Sequence, residues 1–166
     1  SQGLLGPIPL MPVVVGMRMT RRKLRLASFS KLANRILQSI GESKALLSLE
    51  IVGDGRMRRL NRTFRHRDKT TDVLAFATRE GPGPPSALLG DVVISLPQAI
   101  RQSRDHQRGI DHELVVLLIH GVLHLCGYDH ERSDAEARRM ARRERAVLRD
   151  IGSIPKLLVS RESDPV

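Results

Sequence analysis

The stretch from Ile110 to Cys126 constrains the fold of this chain more than any other segment. It is a long apolar run broken by Asp111, His112, Glu113, His120 and His124, and it reads as one buried helix. Its length of about eighteen residues approaches that of a membrane span, but ionisable groups inside it exclude a transmembrane role. Asp111 and Glu113 fall in the first turn, where negative charge suits the helix dipole. An element apolar on so many faces belongs in the middle of a core, with the other elements arranged around it.

The same run carries chemistry. Three of the six histidines lie between positions 120 and 130. On a helix His120 and His124 project from one face a turn apart, as paired zinc ligands do. Gly127 ends the helix, and its freedom to adopt the left-handed conformation lets the chain carry His130 back toward them. Three imidazoles with an open fourth position describe a catalytic zinc site better than a structural one. Nickel, copper and iron suit the same ligands. The alternative is a set of hydrogen-bonded core histidines without a metal. Cys126 follows His124 by two residues and points about 200° away around the helix, so it is read as a small buried hydrophobe. As the only cysteine, it rules out an internal disulfide framework, which fits a reducing cytosol. The metalloprotease pattern H-E-x-x-H places a glutamate after the first histidine as general base. Here that residue is Gly121, which cannot take a proton.

Residues 120 to 130, HGVLHLCGYDH, resemble the signature H-G-x-L-H-L-x-G-Y-D-H of the YbeY family of metal-dependent endoribonucleases, and match it at every specified position. Three further stretches agree in order. Residues 64 to 76, FRHRDKTTDVLAF, are similar to the family's arginine loop and the strand after it. Residues 89 to 95, LGDVVIS, are similar to the next strand, and Asp134, Glu136, Ala137, Met140 and Glu144 follow the pattern beyond the signature. The resemblance covers residues 45 to 145. It implies that His120, His124 and His130 bind one zinc or a similar divalent metal, and that Arg65 contacts RNA phosphate. It further implies a single-strand-type endoribonuclease in ribosomal RNA processing and ribosome quality control, with ribosomal or assembly proteins as partners. The arginine loop departs from the family pattern: His66 stands where glycine is common and Thr70 where proline is common.

Charge agrees with a polyanionic partner. The net charge is +10 and the pI about 11.1, with basic residues concentrated at Arg18 to Arg25, Arg56 to Lys69 and Arg132 to Arg149. Such clusters attract nucleic acid without sequence preference. Aromatic residues make up only 2% of the chain, so stacking platforms are scarce and RNA contacts are expected mostly at the phosphate backbone.

Periodicity gives an α+β layout within one domain, residues 1–166. Strands are predicted at 12–17, 46–52, 73–78 and 89–95, and helices at 28–41, 54–64, 97–108, 110–126 and 133–150. The glycines and prolines of residues 81 to 85 make a loop between two strands. The expected architecture is a small mixed sheet packed against helices, with the zincin-like metal helix central. Residues 1–11 and 155–166 are read as flexible ends. Positive charge follows the apolar start of the chain instead of preceding it, the wrong order for an export signal, so a cytoplasmic location is expected.

The chemistry these readings combine into is metal-assisted cleavage of RNA phosphodiesters, with Arg65 offsetting charge on the phosphate. Water and the RNA's own 2′-hydroxyl both remain open as nucleophile. Asp129 is the nearest carboxylate in sequence and suits a supporting role to a histidine, a base, or a cap on the turn after Gly127. Tyr128 suits packing beneath the turn or contact with substrate. His66, His106 and His112 are read as surface residues. Two rivals remain: a non-enzymatic assembly factor whose metal holds the fold, and a metallohydrolase of another substrate.

Overall fold

The structure, a computed structural model, describes residues 13–18, 23–78 and 87–159. The elements run β1 (Val13–Arg18), α1 (Leu26–Ser39), β2 (Leu46–Val52), α2 (Asp54–Arg65), β3 (Val73–Ala77), β4 (Leu88–Ser95), α3 (Leu96–Asp105), α4 (Ile110–Leu125) and α5 (Asp134–Ile151). The strands form one mixed sheet in the order β1-β2-β4-β3. β1, β2 and β4 are parallel, and β3 runs antiparallel to β4 with Val73 opposite Ile94 and Phe76 opposite Asp91. This is the expected α+β architecture.

Alternation along the strands divides the apolar residues between the sheet's two faces. Leu47, Leu49, Ile51, Val92 and Ile94 join the main core with α1, α3, α4 and α5. Val52, Leu74 and Val93 face the other way and close a smaller cluster with Met57 of α2. On β3, Val73, Ala75 and Ala77 pack with the main core, whereas Leu74 and Phe76 pack with the smaller one. The strand therefore separates α4 from α2.

α4 occupies the centre, touching α1, α3, α5, β3 and β4. Leu114, Val115, Leu118, Val122 and Leu123 are wholly enclosed, and each such burial stabilises by about 1.5–3 kcal/mol before entropy is counted. Among the described residues no helix is long and apolar enough to cross a membrane. Ser95 caps α3 by accepting from the Gln98 amide, with a proline in its first turn, and Ser133 caps α5 by accepting from the Glu136 amide.

The far end of the chain corrects one expectation. Residues 155–159 are not a loose tail: Leu157 and Leu158 are buried. The Leu157 amide donates to Asp111 Oδ1 at 2.9 Å, its carbonyl accepts from the Arg25 amide at 2.8 Å, and Leu158 bridges to Leu24. Two adjacent leucines with a carboxylate ready to take the backbone amide outweigh the prolines and charges around them. Residues 1–11, the loop at 81–85 and residues 160–166 lie outside the described residues.

Candidate metal centre and cleft

The site begins at the last two turns of α4. His120 and His124 face each other with their Nε2 atoms 3.1 Å apart. Two nitrogens bound at 2.0–2.1 Å in a tetrahedron stand about 3.3 Å apart, so the spacing fits a shared cation. The helix ends at Cys126, and Gly127 takes φ +93°, turning the chain as its position suggested. His130 returns to complete the group: its ring centroid lies 5.1 Å from that of His120 and 5.3 Å from that of His124. One nitrogen from each of the three lies within 4.8 Å of the others, a set that could hold a metal ion. Burial holds the His124 pKa below the ordinary imidazole value, and His120 and His130 push it the same way. A neutral ring is the form that binds a metal.

His120 is oriented from behind. Its Nδ1 donates to Glu144 Oε1 of α5 at 2.5 Å, which leaves Nε2 as the atom facing the other histidines. A carboxylate on the far nitrogen fixes the tautomer and raises ligand basicity. Glu144 is in the sequence pattern, but its partner lies 24 residues away and no local periodicity links them.

Asp129, the sequence's nearest candidate for that task, caps the turn instead. Its Oδ1 accepts the Glu131 amide at 2.9 Å and its other oxygen pairs with Arg132 at 3.4 Å. The Glu131 amide, with Arg132 and nearby histidines helping, lowers its pKa, so it is a weak base. Tyr128 packs against the main core with the Arg139 guanidinium 4.9 Å from its ring centroid. Cys126 also packs on the core, outside the three-histidine set. His66 and His106 are exposed and His112 is half-buried. His106 nonetheless has a partner, the buried Glu113 at 3.1 Å, which Arg108 also contacts at 2.6 Å.

Arg65, at the end of α2, lines the same cavity of about 1040 Å³ as the three histidines. One Nη donates to the Ala75 carbonyl at 2.7 Å and the guanidinium lies 5.3 Å from the Phe76 ring centroid. The loop that follows is held despite its departures from the family pattern. His66 adopts the left-handed conformation, φ +58°, where glycine would be unstrained. The Arg67 amide returns to the Asn61 carbonyl at 3.3 Å, and the buried Asn61 side chain donates to the Lys69 carbonyl at 2.9 Å. Thr70 donates to Asp54, which also accepts from Ser95 and receives both ends of the Arg101 guanidinium at 3.0 Å. The Arg101 hydrogen bonds lower the Asp54 pKa against the opposing effect of burial.

Residues 15–152 match the YbeY family, described as endoribonuclease YbeY. The chain is 46% identical over 148 residues to an endoribonuclease YbeY of an Anaeromyxobacter species, covering 89% of this chain and 72% of that protein. It is 41% identical over 140 residues to an endoribonuclease YbeY of Geobacter metallireducens, covering 82% and 93%. A solution structure of a Thermotoga maritima protein shares the fold, with a TM-score of 0.58 at 20% identity over 84% of this chain and 88% of the other. With residues 15–152 matched by the family and relatives 41% and 46% identical over most of its length, the chain belongs to the YbeY family.

Proposed function

We propose that this chain is a metal-dependent endoribonuclease that cleaves single-stranded RNA in ribosomal RNA maturation and ribosome quality control in the cytoplasm. The observation that carries the reading is the convergence of His120, His124 and His130 in one cleft with Arg65. The relatives named as endoribonucleases support it.

The three histidines would hold one zinc, nickel or similar ion, and when bound it supplies Lewis acidity toward a phosphodiester. Glu144 keeps His120 in the ligating tautomer. Arg65 has one donor on Ala75, and the rest of its fork can bind and orient a phosphate oxygen. Basic residues at the cleft, among them Arg67, Lys69 and Arg132, attract the RNA backbone. Gly121 offers no base, and Asp129 is committed to its turn. Ribosomal and assembly proteins are the partners expected for this role.

The test is cleavage of a labelled structured RNA by wild type, His124→Ala and Arg65→Ala, each confirmed as folded. Loss of cutting in both variants assigns metal and arginine to one site, and a 2′,3′-cyclic phosphate end identifies the 2′-hydroxyl as nucleophile. Identical behaviour of all three removes the nuclease reading in favour of a metal-stabilised assembly factor.

A further inference from the structure

We propose that Phe64, braced by Phe76 and flanked by Arg65, is a stacking platform for one unpaired nucleobase of the strand whose backbone enters the histidine cleft. The inference rests on the reading of RNA as substrate and adds a base contact to it.

The chain has four aromatic side chains, three phenylalanines and one tyrosine. Phe29 is wholly buried in the main core. Of the other three, Phe76 and Tyr128 line the cleft, and Phe64 stands beside it against Phe76, with ring centroids 5.3 Å apart at 62°. Scarcity in composition is thus offset by placement, and the expectation of contacts mostly to phosphate changes at this one point.

Phe64 is 58% exposed, the most of any large apolar side chain among the described residues. An edge contact with one ring cannot cover both faces of Phe64, and the exposure shows that much of it remains in solvent. Its surroundings select the occupant. Arg58, Arg59, Arg62 and Arg65 share its helix, an unsuitable border for an apolar protein partner and a favourable one for a polyanion. Aromatic rings beside cations are the common means of holding unpaired bases, because every base has a π-face and its phosphates meet the cations. Continuity with the cleft rests on Arg65 and Phe76, which both line the cavity of the three histidines: Arg65 follows Phe64 on α2, and the Phe76 ring lies against that of Phe64.

The plainer role for Phe64, capping the small cluster around Phe76, would be served equally by leucine. That sets the test. Wild type, Phe64→Leu and Phe64→Trp are titrated with a single-stranded oligoadenylate and with an abasic ribose-phosphate strand of the same length. The chain has no tryptophan, so the introduced indole reports alone. The expected result is that Phe64→Leu binds oligoadenylate about tenfold more weakly while binding the abasic strand like wild type, and that oligoadenylate alone quenches the Phe64→Trp fluorescence. If wild type binds RNA but Phe64→Leu binds it equally well and the tryptophan is not quenched, the platform is refuted and the RNA reading stands. If wild type binds neither strand, the RNA reading fails and takes the platform with it.

Discussion

Gly121 lies so close to Val92 that a Cβ added to it would come within 2.8 Å of Val92 Cγ1, and within 3.2 Å of Val73 Cγ2. The residue between the first two turns of the histidine motif therefore faces the sheet, where α4 crosses β3 and β4. A glutamate at this position, as in the metalloprotease pattern, would be driven into two stiff β-branched side chains with its carboxylate in the core. The glycine sets how near α4 stands to β3 and β4.

Gly121→Ala should lower stability by about 1–3 kcal/mol from overpacking, offset by up to about 1 kcal/mol of helix propensity. Urea denaturation measures the difference. In a Val92→Ala background the same substitution should cost distinctly less; equal costs in both backgrounds would show that the two residues are not in steric conflict.

Glu144→Gln should weaken metal binding by about 10–100-fold without unfolding the protein, because the amide cannot anchor His120 Nδ1 as a carboxylate does. Competition against a coloured chelator reads the affinity directly. Asp129→Asn, which keeps an oxygen for the Glu131 amide, should change it much less, and a reversal of that order would return the supporting role to Asp129.

His66→Gly should raise stability by about 1 kcal/mol, since His66 holds φ +58° at the end of α2. Part of that gain is offset by the greater freedom of glycine in the unfolded chain. A lower denaturation midpoint in the variant would mean that the imidazole makes a compensating contact.

Acid should destabilise the fold through Glu113. Burial opposes its ionisation, but hydrogen bonds and charges from Arg108 and His106 outweigh burial and hold the pKa below the ordinary 4.5. A carboxylate depressed in the folded state contributes stability above pH 4.5 that is lost as the pH falls through the folded value. Urea midpoints measured from pH 6 to pH 3 should fall most steeply below about 4.5, and Glu113→Gln should flatten that fall. An unchanged slope in the variant would assign the acid sensitivity elsewhere.

Much of the candidate site was legible because it is local. A four-residue spacing puts His120 and His124 on one face whatever the rest of the protein does, and a glycine at 127 permits the turn that returns His130. The apolar density of 110–126 determined that α4 lies at the centre, and the apolar residues of β2 and β4, whose successive side chains point to opposite faces, supply both faces of the sheet. Tertiary structure decided matters that depend on residues distant in sequence. Glu144 reaches His120 only because α5 packs on α4, Arg65 joins the histidines only because β3 lies between α2 and α4, and Leu157 joins the main core where Asp111 of α4 accepts its amide. Helical and strand periodicities report which face a side chain takes, but not which distant element covers that face; that is set by packing the whole chain at once.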